Sequence, residues 1–156
     1  MSNEFWMDEK EQEFFMSFIT PETELLEYGS GNSTLFLQDK VKRMVSVEHN
    51  KEWFDKLAPQ LGEKVTYIYE KPNNDHWENQ YTLGLTEDGN VDAMKNAAGD
   101  DGTFEDFISY VISPSRHGKF DIVFIDGRAR VSCAWMSTFL LKDENSRIVT
   151  GKQHMK

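Results

Sequence analysis

Five short strand-like segments, each divided from the next by a segment of helical or mostly helical pattern, set the strongest constraint on this 156-residue chain. Glu24–Tyr28, 42–48, Val65–Tyr69, 120–125 and Arg147–Thr150 carry apolar, β-branched or aromatic residues and end in turn formers, so they read as strands. The first helix starts near Asp8, with Glu11 as its capping-box partner, and stops at Thr20-Pro21. Phe14, Phe15, Phe18 and Ile19 are expected on its buried face. A short helix follows over 33–40. Asn50 caps another, with Trp53, Phe54, Leu57 and Leu61 facing inward and Gly62 at its end. Thr103 and Asp106 open a helix carrying Phe107, Ile108, Val111 and Ile112, with Pro114 beyond it, and 131–141 is helical. Such alternation predicts an α/β fold with a parallel sheet, right-handed crossovers and helices on both faces.

The length suits a single domain, 1–156, with a long loop or lid insertion at about 70–102. Asp88-Gly89 is expected to turn a hairpin within that insertion, and His76, Trp77 and Tyr81 suit substrate recognition there. Twenty-seven acidic against 17 basic residues give a net charge of −10, which disfavours general nucleic-acid binding. The single cysteine, Cys133, rules out a disulfide framework and a cysteine zinc site; it is expected in the core, on one helix side with Val131 and Trp135 nearby. The four histidines are dispersed, so no metal site is expected. The acidic N-terminus and the lack of a membrane-length apolar run point to a cytoplasmic chain without membrane contact.

In an open parallel sheet, ligands bind beyond the carboxyl ends of the strands where the strand order reverses. After the first strand stands Glu27-Tyr28-Gly29-Ser30-Gly31-Asn32-Ser33, a turn that lets backbone approach a ligand closely. The second strand ends in Glu48, at nearly the spacing where a carboxylate accepts the ribose hydroxyls of a nucleoside cofactor. Thr34 stands where the dinucleotide fingerprint has its third glycine. Glu27 at the mouth disfavours phosphates and suits a cofactor bearing an ammonium and a sulfonium, as S-adenosylmethionine does.

The segments LLEYGSGNSTLFL, MVSVEHNKEWFDKL and FDIVFIDGRARVSCA resemble the first, second and fourth motifs of class I S-adenosylmethionine-dependent methyltransferases, in the family's order and over residues 25–135. The resemblance implies a Rossmann-like three-layer sandwich whose mostly parallel five-stranded sheet has the order 3-2-1-4-5, shortened at its C-terminus relative to the family's seven strands. It implies a cofactor lying across the ends of strands one, two and four, with S-adenosylhomocysteine as product. Glu27, Tyr28, Gly29, Ser30, Gly31, Ser33, Glu48, His49 and Asp126 are the expected cofactor-binding residues. Adenine is expected near the turn at 70–77.

Asp126, at the end of the fourth strand, is the expected catalytic residue, as general base or as orienter of the acceptor; the alternative is a turn cap or an ion pair with Arg128 or Arg130. Trp77, Tyr81, Arg128 and Arg130 are candidates for the substrate, although surface ion pairs also account for the arginines. Two functions fit: methyl transfer to a small-molecule acceptor, or a non-catalytic relative that acts through a protein partner. Nothing resembles the Asn/Asp-Pro-Pro-aromatic signature of amino-methylating nucleic-acid enzymes. The exposed edge left by the short sheet is expected to make homo-oligomers.

Overall fold

In the computed structural model, which describes residues 7–74, 77 and 101–151, the chain opens with the expected capping box. Asp8 accepts from the Glu11 N–H at 2.9 Å and the Glu11 carboxylate accepts from the Asp8 N–H at 3.4 Å, starting α1 (Glu9–Met16). The strands β1 (Glu24–Tyr28), β2 (Arg43–Glu48), β3 (Val65–Tyr69), β4 (Ile122–Ile125) and β5 (Arg147–Thr150) form one sheet of order β3-β2-β1-β4-β5. Every pairing is parallel, with Leu26 opposite both Val45 and Val123. This is the expected α/β Rossmann-like order, with its reversal between β1 and β4.

The two-residue period of the strands sorts the core onto two faces. Leu25, Met44, Ile122 and Phe124 pack with Phe15 of α1, Leu37 of α2 (Asn32–Leu37) and Val41. Leu26, Tyr28, Val45, Val47, Val123 and Ile125 pack on the other face with Tyr110 and Val111 of α4 (Ile108–Ile112) and Cys133 of α5 (Arg130–Ser137). Strands buried on both sides explain why their sequences are nearly continuous apolar runs. Helix α3 (Lys51–Leu57) starts at Asn50, whose side chain accepts from the Trp53 N–H at 3.0 Å. At the amino edge of the sheet Lys142 joins Glu24 and Asp121, each at 3.0 Å, and Glu24 also pairs with Arg43.

The expected helix from Thr103 is broken instead into a 3-10 turn (Glu105–Phe107), α4, and a second 3-10 turn (Ser113–His117). Phe107 leaves helical geometry at φ −133°, ψ 34° because its ring is drawn between Trp77, at 5.0 Å, and His49, at 5.4 Å. Core packing there outweighs helix propensity. Helix α5 ends at Ser137 rather than 141, where the Ser137 and Thr138 hydroxyls bond back to the Cys133 and Trp135 carbonyls at 2.6 and 2.7 Å. Phe120 makes only an isolated bridge to Leu141, so β4 begins two residues later than expected.

Two facial assignments are corrected. Phe14 is exposed and meets Phe18 edge-on at 5.0 Å, because it lies off the stripe formed by Phe15 and Phe18. Cys133 is buried as expected, but Val131 and Trp135 lie on the opposite, outer side of α5, 84% and 58% exposed. Residues two apart on a helix face apart. No helix of the described residues is long and apolar enough to cross a membrane, and among the same residues no cluster of three His, Cys, Asp or Glu is placed to hold a metal ion.

Candidate functional site

The first turn beyond β1 is set by two glycines from different strands. Gly29 donates to Val47 O at 2.9 Å and then turns with φ +88°, a region that L side chains rarely adopt. A methyl group on Gly29 would stand 2.7 Å from both Asp126 O and Gly127 Cα. From the other side, a methyl on Gly127 would meet the Tyr110 hydroxyl at 2.1 Å and Gly29 Cα at 3.1 Å. The loops after β1 and β4 therefore touch backbone to backbone, at the point where the strand order reverses.

Glu27 does not face the mouth of this turn as expected. It sits on the same sheet face as Leu25, fully buried, and its carboxylate accepts three hydroxyls. Ser33 Oγ donates at 2.5 Å, Thr34 Oγ1 donates to Oε1, and Ser46 Oγ, its cross-strand partner on β2, donates at 2.7 Å. Thr34 Oγ1 in turn accepts from the Gly31 N–H at 3.0 Å. Glu27 is thus a clamp that fixes the start of α2 and, through Thr34, the second glycine. Burial pushes its pKa up to about 7, against the pull of the three hydroxyls, and the negative charge of Asp126 adds to the rise.

Glu48 does reach the turn. Its Oε1 accepts from Ser30 N–H at 3.1 Å and Ser30 Oγ at 2.6 Å, while Oε2 accepts from the His49 and Asn50 N–H groups at 3.1 and 3.0 Å. Burial raises its pKa, and the Ser30 hydroxyl and these amides oppose the rise. Ser30 Oγ also lies 2.6 Å from the Tyr67 hydroxyl on β3. From α3, Trp53 Nε1–H donates to Ser30 O at 2.9 Å. The Ser30 peptide and side chain are therefore held from β2, β3 and α3 at once. Trp53→Phe removes one of these bonds together with part of a half-buried ring system. Its expected cost is about 1–2 kcal/mol, read as a lower urea midpoint with unchanged slope.

The remaining expected residues divide. The Tyr28 side chain belongs to the core, its hydroxyl donating to Val111 O at 2.7 Å and its ring 5.5 Å from Tyr110; only its backbone borders the turn, accepting from Asp126 N–H at 2.8 Å. His49 is packed edge-on against Phe107 and Tyr110, with Nδ1 3.4 Å from Glu48 Oε2. Burial, and then the charge of Arg128, push its pKa down to about 3, so it is neutral at physiological pH. Asp126 is exposed at the carboxyl edge of β4, its carboxylate beside Gly151, where a methyl group would come within 2.3 Å of Oδ1.

Trp77 is 1% exposed and packs on Phe107, so it is core rather than an open recognition surface. Arg128 stacks over it at 5.3 Å, and Arg130 Nε lies 3.3 Å from Asp101 Oδ1. Tyr81, His76 and the expected turn at Asp88-Gly89 lie outside the described residues. Both ends of that insertion are tied down, one to the 3-10 turn Glu105–Phe107 and the other to the start of α5 beside the site. Asn73 N–H donates to Asp106 O at 2.7 Å, and Asp101 accepts from the Ala129 and Arg130 N–H groups at 2.6 and 2.8 Å.

Sequence reasoning missed Ser46, Tyr67 and Asp101, and read Trp53 as packing alone. Ser46 carried a signal, lying two residues before Glu48 and hence on the same sheet face. Tyr67 followed from it as its partner across β2 and β3. Asp101 carried none.

Two solved structures share the architecture. A precorrin-8w decarboxylase of Methanobacterium thermoautotrophicum aligns with 94% of this chain at 15% identity and a TM-score of 0.57. A methyltransferase-like protein of Silicibacter pomeroyi aligns with 89% at 24% identity and a TM-score of 0.53. The fold is Rossmann-like. This Rossmann-like chain spans 64% of the length of the first structure and 69% of the second. At these identities the likeness carries the fold, and function rests on the site. No family model matches the sequence, and no curated protein matches it.

Proposed function

We propose that the chain binds S-adenosylmethionine at the turn 28–31 and Glu48, and transfers its methyl group to a small-molecule acceptor beside Asp126. The observation that carries the reading is the meeting, at one sheet edge, of the Gly29 turn, the strand-end carboxylate Glu48 and Asp126, on the strands that flank the reversal of order. The methyltransferase-like neighbour supports it at the level of the fold.

The donor set of Glu48 fits a ribose. One of its oxygens already accepts a hydroxyl, that of Ser30, which has a second partner in the Tyr67 hydroxyl. A sugar hydroxyl replaces the Ser30 hydroxyl on Oε1 while the latter keeps its bond to Tyr67, so no buried polar group is left unpaired. The bound cofactor supplies a methyl group on a sulfonium leaving group. Glu48 orients the nucleoside, and the glycine turn lets backbone lie close to the ligand. The exposed Asp126 carboxylate orients the acceptor and takes its proton if the acceptor carries one. S-adenosylhomocysteine is the product.

A second reading, a non-catalytic domain working through a protein partner, is favoured by the engagement of Arg130 with Asp101 and of Arg128 with Trp77, which ties both arginines to the protein itself. Calorimetric titration with S-adenosylmethionine and S-adenosylhomocysteine, beside NAD and ATP, separates the readings. Saturable binding of the first two is expected, and Glu48→Ala should weaken it at least about tenfold, since a hydrogen bond to a charged group is lost. Circular dichroism checks that the variant is folded. Asp126→Ala should keep binding and lose transfer. A folded wild-type chain that binds neither ligand would sink the enzyme reading.

A further inference from the structure

The outer face of α5 and the turn that follows it carry a row of apolar side chains that the described structure leaves uncovered. Val131, Trp135 and Phe139 stand four residues apart, 84%, 58% and 58% exposed, and the Trp135 and Phe139 rings meet edge-on at 5.2 Å. Helix α4 packs alongside and adds Ile108 and Ile112, each 37% exposed, to the same layer. Scattered exposed apolar residues are ordinary on a protein surface; a contiguous row on two neighbouring helices marks a contact surface.

We infer that this face binds a second copy of the chain, with two α5 helices packed antiparallel about a two-fold axis at Trp135. Two features select that occupant. The row reads alike from either end, Val131 four residues before Trp135 and Phe139 four after, so an antiparallel mate sets Val131 of each copy against Phe139 of the other. That is the self-complementary contact a two-fold interface requires.

The area also suits a dimer. From the surface typical of such side chains, the five residues leave on the order of 500 Å² exposed per copy. Two facing copies would bury about 1,000 Å² in all, the lower bound for a specific interface. The sheet edge, by contrast, is blunted at β5, which is four residues long with Arg147 and Thr150 exposed. Association through the helix face therefore replaces the edge contact expected from the short sheet.

Sedimentation velocity on the full chain at tens of micromolar tests this. The wild type should sediment as a dimer. Val131→Lys and Phe139→Glu alone should each weaken the dimer at least tenfold, because each sets a charge against an apolar side chain. The double variant V131K/F139E should recover it, since lysine and glutamate then face each other twice across the axis. Both positions are exposed, and circular dichroism should show all three variants folded with melting points close to the wild type. A monomeric wild type overturns the inference. So does a dimer indifferent to both single changes, or a double variant that stays monomeric.

Discussion

Gly29→Ala should destabilise the chain by about 3 kcal/mol or more, from backbone strain at positive φ together with overlap against a neighbouring strand's backbone. The added methyl would stand 2.7 Å from Asp126 O and Gly127 Cα, and neither is the free end of a flexible side chain that can swing aside. Relief requires the β1 and β4 loops to separate, which breaks the bond from Asp126 N–H to Tyr28 O and displaces the turn that Ser30 and Glu48 hold. In a domain of this size the cost corresponds to a melting point lower by about 10 °C, and ligand binding should fall with it. Gly31→Ala is the internal control. Its φ of 171° is ordinary extended backbone, and an added methyl would meet nothing closer than the Trp53 ring at 4.0 Å. Of two glycines in one motif, only Gly29 should thus lower the melting point when replaced. Equal melting points for the two variants would mean that the β1–β4 contact is not as close as described.

Glu27→Gln should change how stability depends on pH. The Glu27 carboxyl is raised from 4.5 to about 7 by burial, so the fold favours its protonated form. Between those values the native state holds a proton that the unfolded chain has released. The stability that this group contributes is therefore complete below about pH 4.5 and lost as pH rises through 7. A shift of this size corresponds to roughly 3 kcal/mol. Glutamine does not titrate, so the wild-type stability minus that of the variant should fall by about this amount across the window. Subtraction is needed because His49 acts in the opposite sense. Its pKa is lowered to about 3, so the stability of the neutral ring is lost as pH falls below 6.5. Both contributions are present in wild type and variant except that of Glu27. Urea unfolding at several pH values for the two proteins measures the difference. A flat difference would mean that the three hydroxyl donors hold Glu27 as an anion despite its burial.

The expected sheet order is the one the structure has, and β1, β3 and β5 have the expected boundaries. The boundaries depend on short-range information: apolar runs of strand length, turn formers after them, and caps such as Asp8 and Asn50 that act within three residues; the order was implied by the family resemblance alone. Side-chain direction was harder to read. The helix period would have separated Val131 and Trp135 from Cys133, and Phe14 from Phe15, had it been applied strictly. Phe107 could not have been read that way, because its departure from helical geometry answers to Trp77 and His49, thirty and fifty-eight residues away in the chain.

For the site, the turn Glu27–Gly31 and the strand-end positions of Glu48 and Asp126 were fixed by sequence, since a glycine turn after a strand and an acid at a strand's end are local facts. What each carboxylate does was decided only by tertiary structure. Glu27 and Glu48 are both acids on buried strands, yet one is sealed beneath α2 by Ser33, Thr34 and Ser46 while the other reaches the turn through Ser30. Trp77 was drawn into the core, and Arg130 was given Asp101, at the end of the insertion, as partner. The physical reason is that Glu27 and Glu48 share one face of the sheet, Ser46 being the cross-strand partner of the first and two residues from the second, so alternation along a strand cannot tell them apart. What each carboxylate binds is settled by where hydrogen-bond partners lie, and these come from elements distant in the chain that only folding brings together.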